Sequence, residues 1–501
     1  MKPEEGPFKE GSLNRRAAIG RIKEYLNGAS LQALAFRGSF WLSSGNGVDY
    51  GLRFLRNIIL ARLLVPESFG LMAIILAVNG LIMSFSYIGI KEAIIQSSDG
   101  EDETYLNGAW WLSFVRSLVL FAVAMVAVRP ITHFYSIQQY ALMFRISFLA
   151  LIFNGASSAG LFVAQKKMNF KKMVIVSNGG GAIGVLTAIG LSFWLHSVWA
   201  LVIGYVADAA WRCLFSYIIC PFIPGLRFRK EYITALLAYA GGIFGLPILM
   251  FIYKQTGTFF IGKMLSQGQL GLYNLAAKLA QMPVDITTTL VSAILLPIFA
   301  ARKNDTAWIS RSIIKATRFI VILGTPIALF AALYAKDILT IIYGGRYSSV
   351  ALPFGLMSVS TLLRVASTPL SIVFFAIGRP QQDRFFLAVR AAMLVLAIYP
   401  AIKWFSLTGA AAAGTVAEIG GFLLLVKRLK DYVGLNLREY VSIYVRAFIL
   451  SLLVPVVWIS THNASTAAIR NVFTGMSICM VVYAFIGIFA LPRLIPFVRK
   501  P

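Results

Sequence analysis

The side chains that could do chemistry in this 501-residue chain are ionisable groups set inside long apolar runs. Arg53, Arg56, Lys254 and Arg364 are cations in such runs, and Asp49, Asp208 and Glu418 are acids. Arg116, Arg145, Arg212, Lys278, Asp285 and Arg390 share that setting. A charge in hydrocarbon is costly enough that it faces a cavity or a partner. A chamber built from Arg53, Lys254, Arg56 and Arg364 would suit a phosphate or pyrophosphate. Stripped of water, such an anion needs several cations, and arginine offers a bidentate fork. The plainer alternative pairs Arg53 with Asp49, one turn away on the same helix. Asp208 has the same option with Arg212. Glu418 sits among alanine, glycine, threonine and valine, which leaves three roles: a neutral acid, a proton carrier, or the partner of a basic residue elsewhere.

The elements that must position these groups are membrane spans. Of the residues, 58% are hydrophobic and only 13% charged, against about 25% charged in soluble domains. Runs such as 69–90, 174–195 and 472–491 are long enough to cross roughly 30 Å of hydrocarbon. Reading apolar runs bounded by polar turns gives about fourteen spans. They lie near 36–62, 69–93, 108–128, 140–165, 172–194, 198–220, 234–263, 269–299, 311–334, 350–377, 384–402, 406–426, 441–460 and 472–491.

The fold expected is therefore an all-α polytopic membrane protein. Residues 1–35 form a polar, basic tail without a cleavable signal peptide, with a surface helix near 13–26. Lys166, Lys167, Lys171, Lys172, Arg227, Arg229, Lys230, Lys427 and Arg428 crowd the loops on the side of that tail. The other side keeps few basic residues, among them Arg62, Arg129, Lys263 and Arg346. The positive-inside rule then puts both termini in the cytoplasm. The net charge of +26 follows from such loops, and with no groove-sized basic patch it gives no ground for nucleic-acid binding.

An internal repeat organises the spans. Leu60-Ala61-Arg62-Leu63-Leu64 with Phe69-Gly70-Leu71 aligns with Ile261-Gly262-Lys263-Met264-Leu265 and Leu270-Gly271-Leu272. A weaker match sets 161–164, with Lys167 and Lys172, against 373–376, with Arg379 and Arg384. The register places Arg53 against Lys254 and Asp208 against Glu418. Six spans per unit make the repeats parallel, related by an axis along the membrane normal with a site between them. Two pseudo-symmetric six-helix lobes, 36–220 and 221–432, are followed by two C-terminal helices and a cytoplasmic end in 433–501. Prolines concentrate inside the spans of the second lobe, while Pro66 and Pro130 of the first lie at span ends.

Several local patterns carry no chemistry. Gly179-Gly180-Gly181-Ala182-Ile183-Gly184 satisfies a dinucleotide fingerprint but lies inside a span, where small residues serve close helix packing. Asp99, Glu101, Asp102 and Glu103 read as a solvated loop before the third span. Cys213, Cys220 and Cys479, like His133, His196 and His462, have no metal-ligand spacing. No catalytic set, metal site or cofactor is expected.

Residues 60–70 (LARLLVPESFG), 164–172 (AQKKMNFKK) and 198–202 (VWALV) resemble signatures of bacterial polysaccharide exporters. So do 271–276 (GLYNLA) and 376–380 (AIGRP). Over nearly the whole chain the sequence is similar to the Wzx-type, colanic-acid-exporter-like branch of the multidrug/oligosaccharidyl-lipid/polysaccharide superfamily. The resemblance implies two six-helix lobes around a central cavity in the bacterial inner membrane. It also implies a flippase working by alternating access on undecaprenyl-pyrophosphate-linked oligosaccharide repeat units, for exopolysaccharide, capsule or O-antigen. The partners implied are that lipid-linked oligosaccharide, membrane lipids, a polysaccharide polymerase and a chain-length regulator. One rival is a multidrug or cation exporter of the same superfamily, which Asp49 favours and the excess of cations disfavours. Another is a polytopic glycosyltransferase or polymerase, which needs a larger extramembrane catalytic loop than this chain offers.

Overall fold

The computed structural model describes residues 31–494, apart from 228, 244–245 and 465–466. The basic tail and its surface helix therefore lie outside the described residues, except that Leu31 already begins the first helix. In chain order the helices are α1 (Leu31–Leu63), α2 (Pro66–Phe85), α3 (Ile90–Gln96), α4 (Glu103–Phe134), α5 (Ala141–Ser147), α6 (Leu149–Gly155) and α7 (Gly160–Lys166). Then come α8 (Phe170–Leu195), α9 (Val198–Ile219), α10 (Lys230–Ile243), α11 (Leu246–Met264), α12 (Gln267–Ala301), α13 (Thr306–Leu333) and α14 (Ala335–Tyr343). Last are α15 (Ala351–Ala376), α16 (Pro380–Val433), α17 (Leu437–Ser451), α18 (Leu453–Ala464) and α19 (Ala468–Leu494). No strand occurs among the described residues.

Short polar signals start these helices. Asp102 accepts a hydrogen bond from the Tyr105 amide at the head of α4, and Ser266 forms a full capping box with Gln269 at the head of α12. Pro130 sits inside α4 rather than at a span end, because the helix runs on to Phe134. Among the described residues, nine helices are long and apolar enough to cross a membrane, or ten if α5–α6 with α7, bent by 57°, form one broken span. The other expected spans fall on α1, α10–α11, half of α16 and α19. The 54-residue α16 is two rods joined at Ser406, whose φ of 52° and ψ of −133° are not helical. Outward-facing side chains are apolar, with Val126 80% and Trp194 88% exposed, as lipid contact requires.

The internal repeat is legible in atomic detail. A Cβ on Gly70 would overlap the carbonyl oxygen of Gln267, and a Cβ on Gly271 would overlap that of Pro66. These two contacts interchange under one sequence offset, so α2 and α12 cross at a point of local two-fold symmetry. Two long polar side chains at matching positions make comparable contacts across the repeats: Arg62 donates to the Ile341 carbonyl at 2.6 Å, and Lys263 donates to the Phe134 carbonyl at 2.5 Å. The loops before α8 and α16 match as well. Asn169 N bonds Ala164 O at 2.8 Å and Arg379 N bonds Phe374 O at 2.7 Å, each beside a residue of positive φ, Met168 or Gly378. Apolar burial drives helix association only weakly in lipid, so close backbone approach at small residues does much of the joining. Leu60, Leu64 and Leu71 share one buried cluster with Ile261, Leu270 and Leu275, which ties the two repeats together.

Candidate functional site

Two clusters of intramembrane charge emerge, one centred on helices of the first repeat and one in the second. The first lines a cavity of about 300 Å³ walled by α1, α2, α8, α9 and α12. On α1, Arg53 donates through Nε to Asp49 at 2.7 Å. On α9, Arg212 bonds Asp208 at 2.5 Å and Ser177 at 2.9 Å. Both anticipated intrahelical pairs are thus present, and both lie on the cavity wall. The glycine run of α8 separates them. A Cβ on Gly181 would stand 3.2 Å from Arg212 Nη2 and 3.4 Å from Asp49 Oδ1. A Cβ on Gly184 would strike Asp208 Cβ, so these glycines let the charged helices close in on α8.

Arg56 and Lys278 complete the lining. Arg56 reaches Asn57 at 3.4 Å, while its buried Nε has no hydrogen-bond partner. Arg212 Nη2 is also buried without an acceptor. Four cations therefore face two carboxylates around one chamber, with guanidinium donors left over. Such a surface binds anions, and planar guanidinium groups favour phosphate oxygens.

The second cluster centres on Glu418 of α16, which has no solvent exposure. Its Oε2 accepts from the Tyr253 hydroxyl at 2.5 Å and from Arg364 Nε at 3.4 Å, while Arg390 Nη1 stands 3.3 Å from Oε1 as an ion pair without hydrogen-bond geometry. Arg364 also donates to Gln281 at 2.6 Å and to the Tyr253 oxygen at 3.0 Å. Of the three roles left open for Glu418, partnership with bases distant in sequence is the one the geometry displays, Arg364 coming from α15 and Arg390 from the first rod of α16.

The expected chamber of Arg53, Lys254, Arg56 and Arg364 is thereby divided. Arg53 and Arg56 line the first cavity, Arg364 is engaged with Glu418, and Lys254 is exposed on α11 and absent from the lining. Asp208 and Glu418, matched by the repeat, differ in their partners: Asp208 uses a base one turn away, and Glu418 uses α15 and the other rod of α16. Sequence reasoning did not place Lys278, Gln281, Tyr253 or Arg390 in a site. A signal existed for two of them, because Lys278 and Gln281 are three residues apart and so share a face of α12. That face touches both clusters.

Outside the membrane region, Lys167 bonds Glu101 at 2.8 Å and holds that carboxyl below its ordinary range. This matches a solvated, capped loop. His462 faces Asp337 at 2.9 Å, and the described residues contain no group of three or more side chains fit for a metal ion.

Residues 59–352 match the family model described as polysaccharide biosynthesis protein. Among curated relatives, the succinoglycan biosynthesis transport protein ExoT of Rhizobium meliloti (strain 1021) is 23% identical over 62% of this chain and 63% of its own length. The chain thus spans just under two thirds of that relative. The lipopolysaccharide biosynthesis protein WzxC of Escherichia coli (strain K12) is 22% identical over 85% of each chain. Among solved structures, the lipid II flippase MurJ in an inward closed conformation superposes with a TM-score of 0.71 at 12% identity, covering 88% of this chain and 99% of its own. An inward-facing multidrug resistance transporter of the MATE family gives 0.61 at 16% identity, over 83% and 98%.

Proposed function

This chain belongs to the polysaccharide biosynthesis protein family, and from that premise we propose that it is a flippase for undecaprenyl-pyrophosphate-linked oligosaccharide repeat units. It carries them from the cytoplasmic to the outer leaflet of the bacterial inner membrane, for exopolysaccharide, capsule or O-antigen synthesis, by alternating access. The observation that carries this reading is the cavity in which Arg53, Arg56, Arg212 and Lys278 outnumber Asp49 and Asp208. A pyrophosphate crossing a bilayer needs cations along its route, and a chamber with this excess supplies them. A cation exporter would want the opposite sign, and here each acid on the wall is already bonded to an arginine.

In this reading fourteen helices cross the membrane with both termini cytoplasmic, as the loop charges favour. The lobes are 36–220 and 221–432, and the polymerase and chain-length regulator act as partners on the outer face. Arg364 and Lys254 serve the substrate from the second lobe. Asp49, Asp208 and Glu418 are the acids available to couple ion movement to transport.

The test is export in cells lacking the native protein. Arg53→Ala and Lys278→Ala should each cut polymer export by about tenfold or more, since each removes a charged contact to the diphosphate. Lipid-linked repeat units should accumulate on the cytoplasmic face. Normal export from a membrane-inserted Arg53→Ala, Lys278→Ala double variant would refute the assignment.

A further inference from the structure

A second basic pocket lies away from both clusters, where the last turns of α4 meet the start of α5. Its volume is about 750 Å³, and Arg129, His133 and Arg145 line it together with Thr132, Gln138 and Phe134. No carboxylate is among its lining residues. Among the described residues neither arginine has an ion-pair partner. Phe134 also ties the pocket to Lys263, whose ammonium stands 4.5 Å from the centre of the Phe134 ring and bonds its carbonyl. Three cations and an imidazole thus gather at one helix end.

The flank of α4 identifies the chemistry further. Val119, Val123 and Val126 are 56%, 55% and 80% exposed. Their spacing of four and three residues makes one continuous stripe along the helix, and its next positions are Arg129 and His133. The stripe runs from the interior of an apolar helix up to the basic pocket. Hydrocarbon alongside and cations at the end are complementary to one kind of molecule, a lipid with a negatively charged head. A soluble phosphate would use the arginines and leave the stripe idle.

We propose that this pocket binds the phosphate of an anionic phospholipid, with an acyl chain lying along Val119, Val123 and Val126. Arg129 and Arg145 grip the headgroup oxygens from two helices, and the Gln138 amide offers a neutral bond beside them. Anionic lipids are recognised elsewhere by the same combination of basic pocket and apolar helix surface. The proposal requires only that α4 lie in a membrane, so its failure leaves the transport reading intact.

The experiment is native mass spectrometry of the full-length protein released from mixed vesicles of phosphatidylglycerol and phosphatidylethanolamine. The intact protein should retain phosphatidylglycerol preferentially. Arg129→Gln with Arg145→Gln should lower that preference about tenfold or more, the scale of two lost charge-assisted bonds. Arg129→Lys with Arg145→Lys should keep part of it, because the charge persists without the fork. Lys427→Gln with Arg428→Gln, exposed on α16, should leave the preference unchanged. Equal retention by the intact protein and the double glutamine variant would overturn the site. Displacement of the lipid by glycerol phosphate at comparable concentration would overturn the lipid assignment, since the stripe would then add nothing.

Discussion

Replacing Glu418 by glutamine isolates one charge in the second cluster while hardly changing volume. The new amide oxygen can still accept the Tyr253 hydroxyl, so that 2.5 Å bond survives in kind. Arg364 keeps Gln281 and the Tyr253 oxygen. Arg390 fares worst: its contact with Glu418 is its one ion pair among the described residues, and its buried Nε and Nη2 already lack acceptors. Removing one member of a buried pair costs about 3–5 kcal/mol. The lower end, about 3 kcal/mol, is appropriate because both arginine contacts are longer than 3.2 Å and Arg364 is 30% exposed on its side chain. Deleting the orphaned charge as well, with Arg390→Leu in the same chain, should recover roughly half of that loss. The assay is a double-mutant cycle on the unfolding transition of purified protein, followed by tryptophan fluorescence. Glu418→Gln with the stability of the original chain, or strict additivity with Arg390→Leu, would refute the reasoning.

The crossing of α2 and α12 makes a sharper steric prediction. Gly70→Ala and Gly271→Ala should each destabilise the protein by about 1–3 kcal/mol, because the added methyl group meets backbone that cannot rotate away. The two losses should be similar, as their symmetric contacts demand, and thermal unfolding of the two variants measures this. For topology, single cysteines at Asn169 and Ser349, both exposed, should react with an impermeant reagent from opposite sides of the membrane. Labelling of both in intact spheroplasts would overturn the proposed orientation.

Much of this architecture could be read from spacing. The repeat in 60–71 and 261–272 predicted that two helices would relate by symmetry, and Gly70 and Gly271 meet accordingly. The pairs Asp49–Arg53 and Asp208–Arg212 were readable because their partners lie four residues away on one helix. Pairings across helices were not. Nothing local to Glu418 names Arg364 or Arg390, which arrive from elsewhere in the chain. Lys254 is not among the residues lining the first cavity for a related reason. Equivalent depth in two repeats does not fix the rotation of a helix about its axis, and Lys254 is exposed and outside the first cavity's lining while Tyr253 next to it bonds Glu418. The first expected span, 36–62, falls on the 33-residue α1, although that helix is not among the nine apolar enough to cross by composition.

Lys278 gives the first cavity a property that no residue of the first repeat could give it. The excess there is two positive charges, and one of the pair arrives on α12 from the second repeat. The chamber's field is therefore a function of how the repeats sit against each other. A motion that carried α12 away would halve the excess at the moment the wall opened, and the attraction on a dianion would fall in proportion. Grip and release would then be two positions of one lysine, with no separate trigger to arrange them.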